Sequence, residues 1–168
     1  MARGRPNKKQ QIITLATPLF LENGFRATSI DQVVKLSNIS KPTIYNHFPD
    51  KTQLFQHVLN NQTDALVEQW LSPNFSNREN QLSDVLLKID CLEFYRLMIA
   101  EGRLVKNSVD YFNANFDSLW KEDVRKKDAD FVRFWSNEIL VPYLLYQIDL
   151  AAISGVFQEY LTRQSKKP

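Results

Sequence analysis

The chain has 168 residues, 43% of them hydrophobic and 12% aromatic, with four glycines, two histidines and one cysteine. That composition supplies a packed core, argues against disorder and against sheets, and leaves no histidine–cysteine set for zinc. The formal charge of +2 divides into +5 over residues 1–51 and −3 over residues 52–168, so one end suits a polyanion and the other does not.

Residues 1–9, Met-Ala-Arg-Gly-Arg-Pro-Asn-Lys-Lys, read as a basic arm with no apolar anchor, disordered until an anion holds it. An amphipathic helix follows, with Ile12, Ile13, Leu15, Ala16, Leu19 and Phe20 as its apolar side. Gly24 is placed to end it in a left-handed conformation, with Phe25 packing behind. Pro18 falls inside this helix and removes the amide that would bond to Thr14, so a bend is expected there. Ser29-Ile30-Asp31-Gln32 is a capping-box pattern opening a short helix through Val33, Val34 and Leu36. Asn38 stands where a tight turn needs positive φ, which asparagine tolerates.

Ser40 then caps a second short helix, Lys-Pro-Thr-Ile-Tyr-Asn-His-Phe, in which Pro42 costs nothing because the first turn has no intrahelical amide bonds to lose. Ile44 and Phe48, four apart, face inward, which leaves Lys41, Pro42, Thr43, Tyr45, Asn46 and His47 on or near the outer face. Asp50 caps a fourth helix carrying Leu54, Phe55, Val58 and Leu59, running to about Leu71. Residues 72–77 read as a loop. Helices are expected at roughly 80–101, 105–125, 128–146 and 149–164, with Asp128 and Asp149 as the best caps.

Two short helices joined by a four-residue turn and held by a longer first helix make a helix-turn-helix. Lysine donates to guanine acceptors, and proline or a threonine methyl packs on a thymine methyl. Tyrosine, asparagine and histidine bond to phosphates or base edges. The fold class expected is all-α: a three-helix DNA-binding domain joined by a fourth helix to a C-terminal helical bundle. The regions expected are the arm at 1–9, the DNA-binding domain at 10–56 and a helical second domain at 57–168.

Ala27-Thr28-Ser29, Ser40 through Phe48, Asp50-Lys51 and Leu54 together resemble the N-terminal domain of the TetR family of bacterial transcription regulators. Leu19 through Phe25 is similar to the end of that family's first helix, and the likeness runs from about Gln11 to Phe55. It implies base contacts from Lys41, Pro42 and Thr43, with Asn46 free to join them or to meet phosphate. It implies phosphate contacts from Thr28, Ser29, Tyr45, His47 and Lys51. It implies a homodimeric repressor on a palindromic double-stranded operator, with residues 57–168 as an effector-binding and dimerisation domain and release by a small apolar ligand.

Arg3-Gly4-Arg5-Pro6 resembles the core of an AT-hook, so Arg3 and Arg5 are candidates for a minor-groove arm; a solubilising tail is the plainer alternative. Residues 63–168 hold fifteen aromatics, enough to close a bundle or to line an apolar cavity. Phe94, Tyr95, Met98, Phe112, Phe116 and Trp120 are the candidate lining, against plain core packing. The chain is shorter than most members of the family, with 72–92 as the region that is short, which predicts a small pocket or none. Small residues Ala151, Ala152 and Gly155 on the last helix, with Phe131, Trp135 and Ile139 on the one before, are the candidate dimer interface.

Cys91 stands alone in an apolar helical stretch, excludes an internal disulfide and reads as a core thiol. No apolar run approaches a membrane span and no signal region is present, so the expected location is the cytoplasm. No phosphate-binding glycine loop or nucleophile elbow occurs, so no catalytic residue, metal or cofactor is expected, and the expected class is not an enzyme. The alternative function is a TetR-like architectural protein that binds A·T-rich DNA and a protein partner without an effector.

Overall fold

The computed structural model describes residues 7–74, 81–126, 128–146 and 149–166, and the regular structure among them is helical, without a strand. The arm residues Arg3 and Arg5 lie outside the described residues, as do residues 75–80, which include the second half of the expected loop.

The first four helices are set by local signals. Helix α1 (Lys8–Ala27) starts where Asn7 accepts a bond from the Lys9 amide. Pro18 keeps helical backbone angles, and the one non-helical residue inside the helix is Gly24, at φ 75° and ψ 177°. Pro18 and Thr14 are both exposed, so the carbonyl left without an amide partner need not be buried. Helix α2 (Ile30–Ser37) carries both halves of the Ser29–Gln32 capping box and ends on Asn38 in the left-handed region, φ 53°. Helix α3 (Lys41–His47) begins at Ser40, which accepts from the Thr43 amide, and α4 (Lys51–Trp70) begins at Asp50, which accepts from the Gln53 amide.

These helices enclose one apolar group. Ile12, Ala16, Phe20, Val33, Ile44, Phe48, Leu54 and Phe55 have no exposed surface. Phe55 of α4 meets Phe20 and Phe25 of α1, each at 5.0 Å between ring centres. The long helix α4 then continues into the second half, where it buries Thr63, Leu66 and Trp70.

Beyond the loop the expected single helix over 80–101 is two elements, a short π-helical α5 (Leu82–Leu86) and α6 (Ile89–Glu101). Val85, Leu86 and Leu87 are all buried, as are Cys91 and Leu92. A straight helix turns each side chain by about 100° from the last, so it cannot put such a run on one face. The extended backbone at Lys88 re-aims the chain, and the Trp135 indole donates to the Leu86 carbonyl at 3.4 Å.

Helix α7 covers 108–125, with a π-helical turn at Asn113–Asp117, and α8 covers 129–146, with another at Trp135–Leu140. The wider turn in α8 directly precedes Pro142, whose missing amide leaves the Glu138 carbonyl without its usual partner. Asp128 and Asp149 cap α8 and α9 (Leu150–Ser165), as expected. Among the described residues no helix is long and apolar enough to cross a membrane. Cys91 is buried, and burial pushes its thiol far above the usual range, which makes it an inert core residue.

Candidate nucleic-acid interface

Helix α3 is held from behind. Ile44 and Phe48 are fully buried, and the His57 ring packs edge-on against Phe48 at 5.4 Å. Burial, then the charge of Lys9, lower the His57 pKa, which fits a neutral packing role. At the front of the helix the Ser40 and Thr43 hydroxyls lie 2.7 Å apart. Lys41, Pro42, Tyr45 and Asn46 are exposed, while Thr43 and His47 are half-buried. Those six positions form one polar surface without a large apolar side chain other than Tyr45.

Lys41 is not free on that surface. Its ammonium lies 2.8 Å from the Asp31 carboxylate on α2, with both side chains substantially exposed. The hydrogen bond to Asp31, followed by its charge, raises the lysine pKa.

The residues expected on phosphates divide into two groups. Ser29, Tyr45 and His47 keep surface that a ligand can reach. Thr28 is 1% exposed, and its hydroxyl donates to the Gly24 and Leu19 carbonyls at 2.7 and 3.0 Å. Lys51 donates to the Phe25 and Thr28 carbonyls at 2.7 and 2.9 Å, with its ammonium 4.2 Å from the Phe25 ring centre. Both side chains close the corner between α1 and α2, and this corner determines how α3 is presented.

The same corner is gripped from the second half. The positive φ at Gly24 breaks the α1 ladder, so the Phe25 amide no longer serves the Leu21 carbonyl. Two side chains of α6 take the freed groups. Glu101 accepts from the Phe25 amide at 2.5 Å, and Arg96 donates to the Leu21 carbonyl at 2.7 Å. Arg96 is itself held by Glu93, which also accepts from the Tyr143 hydroxyl of α8. A continuous polar chain therefore runs from α8 through α6 to α1. Neither Arg96 nor Glu101 was an expected site residue, because their partners lie 75 and 76 positions away.

Phe94, Tyr95, Met98, Phe112, Phe116 and Trp120 come together, but as a filled interior. All six are buried, Tyr95 meets Phe112 edge-on at 5.0 Å, and Phe94 does so at 5.4 Å. Tyr95 donates to Asp117 and accepts from the Trp120 indole, so its hydroxyl is satisfied too. An open groove of about 1250 Å³ lies on the opposite face of α6, among α1, α4, α6, α8 and the start of α9, lined by Leu21, Ile89, Glu93, Arg96, Tyr143 and Ala151 with others. Phe131, Trp135 and Ile139 have no exposed surface and belong to the protomer's own core, whereas Ala151, Ala152 and Gly155 are exposed. No group of three or more metal-binding side chains occurs among the described residues.

The fold and this corner define an all-α helix-turn-helix protein with a helical second half. The model of the bacterial regulatory proteins of the tetR family matches residues 12–58. The transcriptional regulator QacR of Staphylococcus aureus is 37% identical over 75 residues, 45% of this chain and 40% of that protein. The transcriptional activator FasR of Mycolicibacterium smegmatis is 30% identical over 112 residues, 62% of this chain and 51% of that protein. The aligned stretches thus span about half the length of these relatives or less. A solved TetR-family regulator from Agrobacterium tumefaciens shares the fold over 93% of this chain and 96% of its own, with TM-score 0.67 and 18% identity. Residues 12–58 thus carry the tetR-family DNA-binding domain of bacterial transcriptional regulators, and the chain as a whole shares the fold of a solved regulator of that family.

Proposed function

We propose that this protein is a homodimeric transcriptional repressor that reads a palindromic operator with α3 and is released by a small ligand. The observation that carries the reading is α3 itself, seven residues long, anchored by two buried side chains and presenting Lys41, Pro42, Thr43 and Asn46 together. A surface of short polar and basic groups on a rigid helix matches what base edges in the major groove demand. Ser29, Tyr45 and His47 flank it as phosphate contacts.

Dimerisation is supported by apolar surface that stays exposed among the described residues. Leu145 and Tyr146 on α8 are 66% and 74% exposed. On α9 the space beside Gly155 is open, and Ala151 and Ala152 are exposed. Small residues let a second helix approach closely, and a two-fold axis through this face would present two copies of α3. Phe131, Trp135 and Ile139 stiffen the face from behind.

For the ligand, the open groove suits better than the closed aromatic interior. Its walls include Glu93, Arg96 and Tyr143, the chain that ties α8 to the α1 corner. A ligand that alters this chain changes where the reading unit sits, and its effect on operator affinity equals its differential affinity for the two arrangements.

Selection of bound sequences from random DNA tests the reading. The expected product is a palindrome with half-sites about one helical turn, or a multiple of it, apart. Lys41→Ala combined with Thr43→Ala should abolish that preference. Enrichment of plain A·T tracts, or a specific footprint that survives the pair, overturns it.

A further inference from the structure

Among the seven residues of α3, Lys41 is the one lysine or arginine, and it stands in the first turn. A cation there lies at the positive end of the helix dipole, an unfavourable place without a counter-charge. Asp31 supplies one at 2.8 Å, from the first turn of α2, where a carboxylate is itself favoured by the dipole. The one mildly frustrated charge, Lys41, is thus balanced across the helix-turn-helix by a carboxylate that is well placed on its own helix.

The pair is open to water, 48% exposed at Lys41 and 66% at Asp31, so it is weak and gives way readily. It therefore does not lock α3 away from DNA. Its effect is directional. An ammonium has three donors, and one aimed at Asp31 leaves the others to a neighbouring acceptor. Guanine presents two neutral acceptors in the major groove, whereas a phosphate brings a full negative charge toward Asp31. The carboxylate penalises the phosphate and tolerates the base.

We propose that Asp31 is a specificity-determining residue, which holds the Lys41 ammonium off the phosphate backbone and so reserves it for a base edge. The proposal rests on the regulator reading above. Asp31 needs no contact with DNA; it acts through Lys41 and is in that sense a positioning residue. Non-specific attraction then falls to cations on other helices, such as Lys8 and Arg26 on α1.

The test uses the full chain, as wild type, Asp31→Asn, Lys41→Ala and the double variant. Each is titrated onto the selected palindrome and onto a scrambled duplex of the same length, across a range of salt concentrations. Asp31→Asn should bind the scrambled duplex several-fold tighter. Its salt dependence there should steepen by about 0.9 in log–log slope, the value for one added phosphate contact. Affinity for the palindrome should change less, so discrimination falls. In the Lys41→Ala background the steepening should vanish, since no ammonium is left to release. An unchanged slope in Asp31→Asn overturns the proposal, as does an equal change with and without Lys41, which would make Asp31 a bare charge. Equal binding of wild type to both duplexes refutes the regulator reading itself, and the specificity role with it.

Discussion

The two halves of this molecule are held together in different ways. In the first, each helix begins with a side chain bonded to an amide two or three residues on: Asn7, Ser29, Ser40 and Asp50. In the second, the Lys88 and Asn107 starts of α6 and α7 have no side-chain cap bond, and two helices contain π-helical turns. What holds it instead is aromatic packing and bonds that span long stretches of sequence. Local capping makes a small rigid reader that tolerates little change. Packing with fewer local signals, the Asp128 and Asp149 caps of α8 and α9 among them, makes a bundle whose interior and surfaces can diverge while the helices persist.

The sharpest way to break this contrast is to remove one of the packed rings. Trp135 is fully buried, 4.8 Å from the Tyr95 ring and 5.0 Å from that of Trp120. Trp135→Ala should cost about 3–5 kcal/mol, as large-to-small core changes do. Urea unfolding measures it. The second half should lose cooperativity while the first four helices, with their own caps, keep more of their structure. A loss spread evenly over both halves would show that the seam between them is stiffer than local capping implies.

That seam gives the next largest effect. Glu101→Ala strips the acceptor from the half-buried Phe25 amide, and an unpaired buried donor costs about 1–3 kcal/mol. Glu101→Gln keeps an acceptor oxygen and should cost less. Operator affinity should follow the same order, because the amide in question sits at the corner that presents α3. If the glutamine and alanine variants behave alike, the charge of Glu101 matters more than its bond.

The contrast also explains what was legible in the sequence. Ser29-Ile30-Asp31-Gln32, Asn38 and Ser40 each declare a backbone state through a bond made within three or four residues, so the reading helix and its buried Ile44 and Phe48 could be placed from the chain alone. Lys51 and Thr28 could not. Their types suit phosphate, and the folded corner shows in addition that the Thr28 hydroxyl and two of the three Lys51 donors meet carbonyls of α1 and its connection. The helix leaves its regular geometry at Gly24, where positive φ requires it, and Pro18 keeps helical angles because the carbonyl it deprives of a partner is exposed and costs little. In the second half the aromatics were visible as a supply, but whether they enclose space depends on how α6, α7 and α8 approach, which no short pattern encodes. Arg96 and Glu101 looked like ordinary charges on a helix because the groups they serve belong to a different half.

The smallest effect concerns His57, which belongs to the well-capped half yet depends on packing. Its imidazole lies edge-on to Phe48, behind the reading helix, and burial followed by the charge of Lys9 holds its pKa below the ordinary 6.5. A base whose folded pKa is depressed binds its proton more readily when unfolded. The stability it contributes is therefore complete above 6.5, falls as pH drops below that value, and is lost once the folded pKa is passed. His57→Gln removes the titrating group, so unfolding followed from neutral to mildly acid pH should show a shallower decline than in wild type. The protonated ring also sits against the anchor of α3, which predicts that operator binding weakens over the same range in wild type and less so in the variant. Parallel pH profiles for the two proteins would place the acid sensitivity elsewhere and leave His57 as packing alone.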